Sequence, residues 1–477
     1  MKKLSAVLAV IILLFNMSCT VLAEGVYKDT IKIGLTYASA TEGWFYSESE
    51  IEIVDSYYMS HITTIPAKTK FRVYVQDGAI ASDYFYPVMN ELMLESATPV
   101  SFNNTAYRGS FRLRNYNNTL TVINVVNTED YLASVLGREM SAYWPIEALK
   151  AQAVCARNYA VTSTKHASYG FDLCATIDCQ VYGGISSEAE STRRAAKDTA
   201  GVVVTYKGEV VSLYYFSCDG GYTESSENVW INALGYLRGK QDIHENPETA
   251  TLYNWSKTYT KSEIERIMAN KGVNIGELRD IRIDEISENN GVIKMTFVGT
   301  LGEHTVTKTG TRTFLSLNSQ AFTIEKTLPQ STPVRQETES VTMTVLTANG
   351  LEEVTNPKHV LTANGLEEIE YRTYEVAEEA SAYASYTFNG HGWGHLVGMS
   401  QWGAHAMAKK GYTYKDILNF YFTDIVIEEH AIENVEEPTQ EVEETEEPTP
   451  WEEEIPDEEE TEENTEDNSI EWSDTGL

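Results

Sequence analysis

Positive charge is scarce in this 477-residue chain: 36 Lys and Arg stand against 71 Asp and Glu, a formal net charge of −35. A nucleic-acid partner needs a basic footprint, and none is present. The imbalance is concentrated at the C-terminal end, where residues 428–477 hold 23 acidic residues and no Lys or Arg. That tail is low-complexity Glu, Pro and Thr, too poor in apolar side chains to build a core, and is expected to stay disordered. Long apolar runs are also missing. The one candidate lies at the start, with Lys2 and Lys3 before an apolar stretch Ala6–Phe15 and a small-residue site at Val21-Leu22-Ala23. This pattern reads as a secretory signal over residues 1–23, cleaved or retained as a marginal anchor. Cysteine is sparse: five in all, and Cys19 falls inside the leader. Outside the cell the other four, Cys155, Cys174, Cys179 and Cys218, either pair or bind metal.

What is present is organised around residues 127–160, NTEDYLASVLGREMSAYWPIEALKAQAVCARNYA. Thr128 suits an N-cap, Glu129 and Asp130 suit a first turn, and Tyr131, Leu132, Val135, Leu136 and Met140 recur at helical spacing. After a break at 141–144, Pro145 starts a second helix from its first turn, with a narrow buried stripe of Ile146, Leu149, Ala153, Ala156 and Ala160. Glu139 then sits at a helix C-terminus beside Trp144. The helix dipole and loss of water both raise a carboxylic acid's pKa there, as a general acid requires; the plain alternative is a solvated last-turn residue.

Residues 26–126 read as β-rich, with a hairpin of Tyr107–Arg114 and Leu120–Val125 about a turn at Asn115–Asn118 and a packing module over 36–105. His166, Cys174 and Cys179 form a second constellation, whose spacing is not that of a zinc finger. Zinc, a Cys174–Cys179 disulfide and two free thiols all remain open readings. A helix over Ser187–Thr199 and a hairpin over 201–216, its second strand central, come next. Then follow the paired glycines Gly220 and Gly221, a helix Lys261–Lys271, and strands Leu278–Ile286 and Val292–Phe297 about Asn289-Asn290-Gly291. Within 326–385, VLTANGLEEV recurs as VLTANGLEEI after 15 residues, which suits a surface insertion rather than a solenoid. The run GHGWGHLVGMSQWGA (390–404) is too glycine-rich for a helix at its start, so His391 and His395 are poor candidates for a metal pair; Ser400 caps a helix after it.

The 127–160 run, together with YRGSFRLR…LTVINVV, QVYGG, the S..GG.T loop at Ser217–Thr223 and GHGWGHLVGMSQWGA, resembles the stage II sporulation protein D / amidase enhancer family. The resemblance implies an α+β fold with a catalytic helix pair, β-hairpins and a Gly-rich C-terminal loop followed by helices. It divides the chain into a leader (1–23), a β-rich part (26–126), a core (127–325) closed by 386–427, an insertion (326–385) and a tail (428–477). It also implies a lytic transglycosylase with Glu139 as catalytic acid, cutting stem-free peptidoglycan glycan strands to 1,6-anhydro products. Substrate-binding candidates are Lys150, Arg157, Gln180, Gly220, Gly221, His391, His395 and Gln401, with Arg157 equally open to being a buried structural ion pair. Zinc on His166, Cys174 and Cys179 occurs in some members and is not required by the reaction. Asp178 stands where relatives carry a His. A peptidoglycan amidase is the implied protein partner, and the implied location is extracytoplasmic and wall-associated. The competing readings are a non-catalytic wall-binding module that stimulates an amidase, and a zinc-dependent hydrolase. A glycosidase that uses water usually needs two carboxylates, and the signature offers one.

Overall fold

The computed structural model describes residues 28–328, 334–347, 350–362, 365–377 and 383–430; the leader and most of the acidic tail lie outside these. Six helices matter for the site: α1 (Thr128–Glu139), α2 (Ile146–Thr162), α3 (Glu190–Asp198), α4 (Lys261–Asn270), α5 (Gln401–Lys409) and α6 (Tyr414–Tyr421). The chain divides into two compact units, residues 1–250 with 393–477 and residues 251–392. These divisions fall at 250/251 and 392/393, not at the ends of the duplicated stretch.

In the first unit, strand Thr30–Thr36 pairs antiparallel with Thr119–Asn127 and parallel with the two-residue strand Leu173–Cys174. The sheet continues through Ser110–Tyr116, Leu92–Ser96, Ile51–Asp55 and Ser60–Ile65 to seven strands. The expected hairpin is present, turning at Asn117 and Asn118, which both take positive φ. Residues 36–105 do not stand apart as a module. Some of their strands join the seven-stranded sheet, others form a six-stranded one, and Phe45, Ile53, Val73 and Phe102 share a single hydrophobic core with α1 and α2.

Strand Thr119–Asn127 runs directly into α1. Asn127, not Thr128, is the N-cap: its side chain accepts from the Glu129 amide, while the Thr128 hydroxyl donates to the Lys28 carbonyl. Such a cap contributes about 1 kcal/mol. Pro145 is the N-cap of α2 rather than its first helical residue. The expected narrow stripe on α2 widens into burial on nearly all faces from Ala148 to Val161, because α1, α3, α5, α6 and strand Val202–Tyr206 all pack on it. Its alanines make that close packing from several sides possible.

The hairpin expected over 201–216 is shorter than its apolar run suggests. Val202–Tyr206 pairs with Glu209–Val210 and, on its other edge, with Ile425–Glu429. Tyr215–Phe216 instead pairs parallel with Met399–Ser400, just ahead of α5. Among the described residues no helix is long and apolar enough to cross a membrane.

The second unit sets strand Ser385–His391 between Asn254–Thr260 and Phe322–Thr327. A three-stranded sheet, Leu278–Ile286, Val292–Gly299 and Gly302–Thr307, carries the expected turn with Asn290 at positive φ. Each 15-residue repeat forms its own two-stranded hairpin, Thr342–Thr347 with Gly350–Thr355 and His359–Thr362 with Gly365–Glu368, in equivalent register.

Candidate active site

Glu139 is the last residue of α1, where carbonyl groups point outward and negative charge is disfavoured. Its Oε1 accepts a long hydrogen bond from the Val181 amide at 3.4 Å. Its Oε2 is sealed from solvent and makes no hydrogen bond. Burial pushes the acid up to about 8, against opposing effects from the Val181 amide, the Arg138 charge and the Gln401 side chain. Gln401, 5% exposed, opens α5 behind the Ser400 cap, and its Nε2 is likewise buried. The Gln401 side chain thus answers the Glu139 carboxyl, while Glu139 Oε2 has no hydrogen bond of ordinary geometry.

Two residues further along the chain begins an open groove of about 620 Å³, lined by Ser141, Tyr143, Trp144, Pro145, Thr249, Trp402, His405 and Lys409. The Trp144 ring lies 4.9 Å from Trp402 and 4.6 Å from His405, centre to centre. Trp402 and His405 escaped the sequence reading. Their one signal was the spacing of three along a helix that starts inside the GHGWGHLVGMSQWGA run.

Several of the expected substrate contacts are committed to the fold instead. Arg157 is fully buried, forming an ion pair with Glu129 at 2.5 Å and donating to the Val202 carbonyl at 3.0 Å. Gln180 is 1% exposed: its Oε1 accepts from the Tyr131 hydroxyl and its Nε2 donates to the Tyr215 hydroxyl, each at 2.9 Å. Neither side chain is open to a sugar. Lys150 lies between Glu147 at 3.1 Å and Asp198 at 3.0 Å. Gly220 and Gly221 take positive φ beside the buried Asp219, whose Oδ1 accepts from the Gly221 amide. His395 packs against Phe216 and Trp230 and accepts at Nδ1 from the Val397 amide. His391 ends a strand of the second unit, exposed and bonded to Asn254, whereas the other candidates belong to the first.

The metal candidates do converge. His166, Cys174 and Cys179 are brought together with Asp178, each offering a ligand atom within 4.8 Å of the others. His166 Nε2 lies 3.3 Å from Cys179 Sγ and 3.4 Å from Asp178 Oδ2. None of the four described cysteines is disulfide-bonded. A hydrogen bond from Cys179 pushes the Cys174 thiol down to about 5, which favours a thiolate there. Two sulfurs, an imidazole and a carboxylate are a donor set that fits tetrahedral zinc. The cluster is anchored in the sheet by the pairing of Gly34 with Cys174. Two residues after Cys179 comes Val181, whose amide meets Glu139.

A sequence model of the "Stage II sporulation protein" family matches residues 116–206. An uncharacterized protein of Brachyspira hyodysenteriae is 30% identical over 350 residues, covering 72% of this chain and 78% of that one. The amidase enhancer of Bacillus subtilis is 29% identical over 318 residues, 61% of this chain but only 39% of the enhancer. Stage II sporulation protein D of the same organism is 26% identical over 320 residues, 63% of this chain and 74% of that protein.

Proposed function

Since this chain belongs to the stage II sporulation protein D / amidase enhancer family, we propose that it is a lytic transglycosylase of peptidoglycan, acting on stem-free glycan strands in wall remodelling or sporulation. The observation that carries this reading is the placement of Glu139 at the end of α1 with Oε2 sealed from solvent, where burial raises the acid to about 8. A protonated acid in a dry position can give its proton to the glycosidic oxygen between N-acetylmuramic acid and N-acetylglucosamine as the C1–O bond breaks. The resulting carboxylate takes the proton of the muramoyl C6 hydroxyl, whose oxygen closes on C1. One residue serves both steps, no water is consumed, and the product is a 1,6-anhydro sugar. Trp144 and Trp402 provide an aromatic floor for the sugar rings, and Gln401 holds its side chain against Glu139.

Zinc on His166, Cys174, Cys179 and Asp178 would supply charge and rigidity. These residues would then fix the segment that presents the Val181 amide to Glu139, a positioning role. A second reading follows from the relative named amidase enhancer: the chain binds wall glycan and stimulates a peptidoglycan amidase. Export and wall association belong to both readings.

Mass spectrometry of the products from stem-free glycan strands tests the proposal. Fragments one water lighter than hydrolysis products, absent with Glu139→Gln, are expected. Hydrolysed ends would replace the transglycosylase with a water-using glycosidase. Binding without cleavage would leave the amidase-stimulating module.

A further inference from the structure

Away from Glu139, the first unit buries a second group of acids. Asp219, Asp242 and Glu245 are 1%, 4% and 7% exposed, and each offers a carboxylate oxygen within 4.8 Å of the other two. Asp219 and Asp242 lie on two loops tied together by the Asp242 amide donating to the Gly221 carbonyl. Neutral donors surround the group. The Tyr421 hydroxyl donates to Asp242 Oδ2 at 2.5 Å, and the amides of His244 and Glu245 donate to Asp242 Oδ1. The Ser400 hydroxyl and the Asp219 amide donate to Glu245 Oε2 at 2.9 Å, while the Cys218 thiol donates to Glu245 Oε1. Lys240 senses Asp242 from outside, its ammonium donating to the Phe420 carbonyl.

One atom in this group is left over. Asp219 Oδ2 is sealed from solvent and makes no hydrogen bond. The carboxylates of Glu245 and Asp242 are its charged neighbours, and after burial itself they push its pKa well up. Three acids in one dry spot require a counter-charge, a proton or a cation. Magnesium gives up its waters reluctantly and is rarely held in an all-protein cage, whereas calcium accepts protein oxygens throughout, so a dry site of three carboxylates suits calcium. The donors are all oxygen, unlike the sulfur-rich cluster at His166.

We infer that Asp219, Asp242 and Glu245 form a structural calcium site that ties the Gly220-Gly221 loop and the 242–245 loop to the start of α5. Ser400 links the site to that helix, since it donates to Glu245 and accepts from the Gly403 amide as the N-cap. The cation thus braces the turn that carries Gln401 and Trp402.

The full chain, stripped with EDTA, is melted with and without millimolar calcium chloride. Terbium luminescence excited through tyrosine reports binding directly, because Tyr421 touches the site. At ten times the dissociation constant Tm should rise by about 2 °C, and calcium should displace the tyrosine-sensitised terbium emission. Asp219→Asn should lose both effects; Glu245→Gln serves if that variant does not fold. The acidic residues after Glu428 give the same background in wild type and variant. Zinc added back reads the His166 cluster, calcium this one. An unchanged wild-type Tm in EDTA and calcium, with terbium emission equal in wild type and Asp219→Asn, would mean that the acids hold protons instead and would overturn the proposal.

Discussion

At Glu139 the fold favours the neutral carboxylic acid, and this has a sign that can be measured. Its pKa rises from an ordinary 4.5 to about 8 in the folded protein. The stability contributed by the neutral acid is therefore complete below about pH 4.5 and is lost as the pH climbs through about 8. Glutamine mimics the neutral form at every pH. Glu139→Gln should melt with the wild type at pH 4.5 and several degrees above it at pH 9, in calorimetry across that range. Wild-type cleavage should decline above about pH 8 as the acid loses its proton; a profile flat to pH 10 would remove Glu139 as the general acid. A helix end next to an aromatic corner is a local pattern, so the sequence offered Glu139 as a candidate beside the plain solvated reading, and its proposed role came from the family resemblance. At Arg157 it left a substrate contact and a buried ion pair equally open, and the structure shows the ion pair; at Gln180 the suggested sugar contact is buried instead. A polar side chain on a helix or loop does not announce that other elements will close over it. Asp219, Asp242 and Glu245 left no trace in spacing, since the tie between the Gly221 and Asp242 backbones is tertiary.

Among the elements, α1 depends on one small residue. A Cβ on Gly137 would stand 1.8 Å from the Ser187 carbonyl oxygen, a backbone atom with little room to yield. Gly137→Ala should therefore cost about 1–3 kcal/mol through overpacking, although alanine is the better helix former. It should also lower cleavage, because Glu139 is two residues away. Urea denaturation and a product assay check both, and a gain in stability would show that the 185–188 turn yields easily. Helix periodicity found α1 and α2, and turn chemistry found the hairpins at Asn117-Asn118 and Asn290. Tyr215–Phe216 was misplaced because a two-residue parallel pairing leaves no periodicity to read.

For the molecule as a whole, the duplicated hairpins stand outside both cores: Leu346, Leu351, Leu361 and Leu366 are all largely exposed. Thr338 and Thr373 are already paired across strands. Replacing residues 339–372 by an Asn-Gly turn should leave Tm within about 1 °C of the wild type and leave cleavage intact; a large loss would give the hairpins a structural role. The other feature of this scale is the split first unit. α2 is covered by α1 and α3 from one side of the sequence break and by α5 and α6 from the other. Strand Val202–Tyr206 likewise waits for Ile425–Glu429. Loop closure across so many residues must precede the contacts that reward it. Folding of this unit is therefore a late event on the time axis of synthesis, and until residues near 421 arrive the alanine-rich face of α2 is a surface for chaperones to hold.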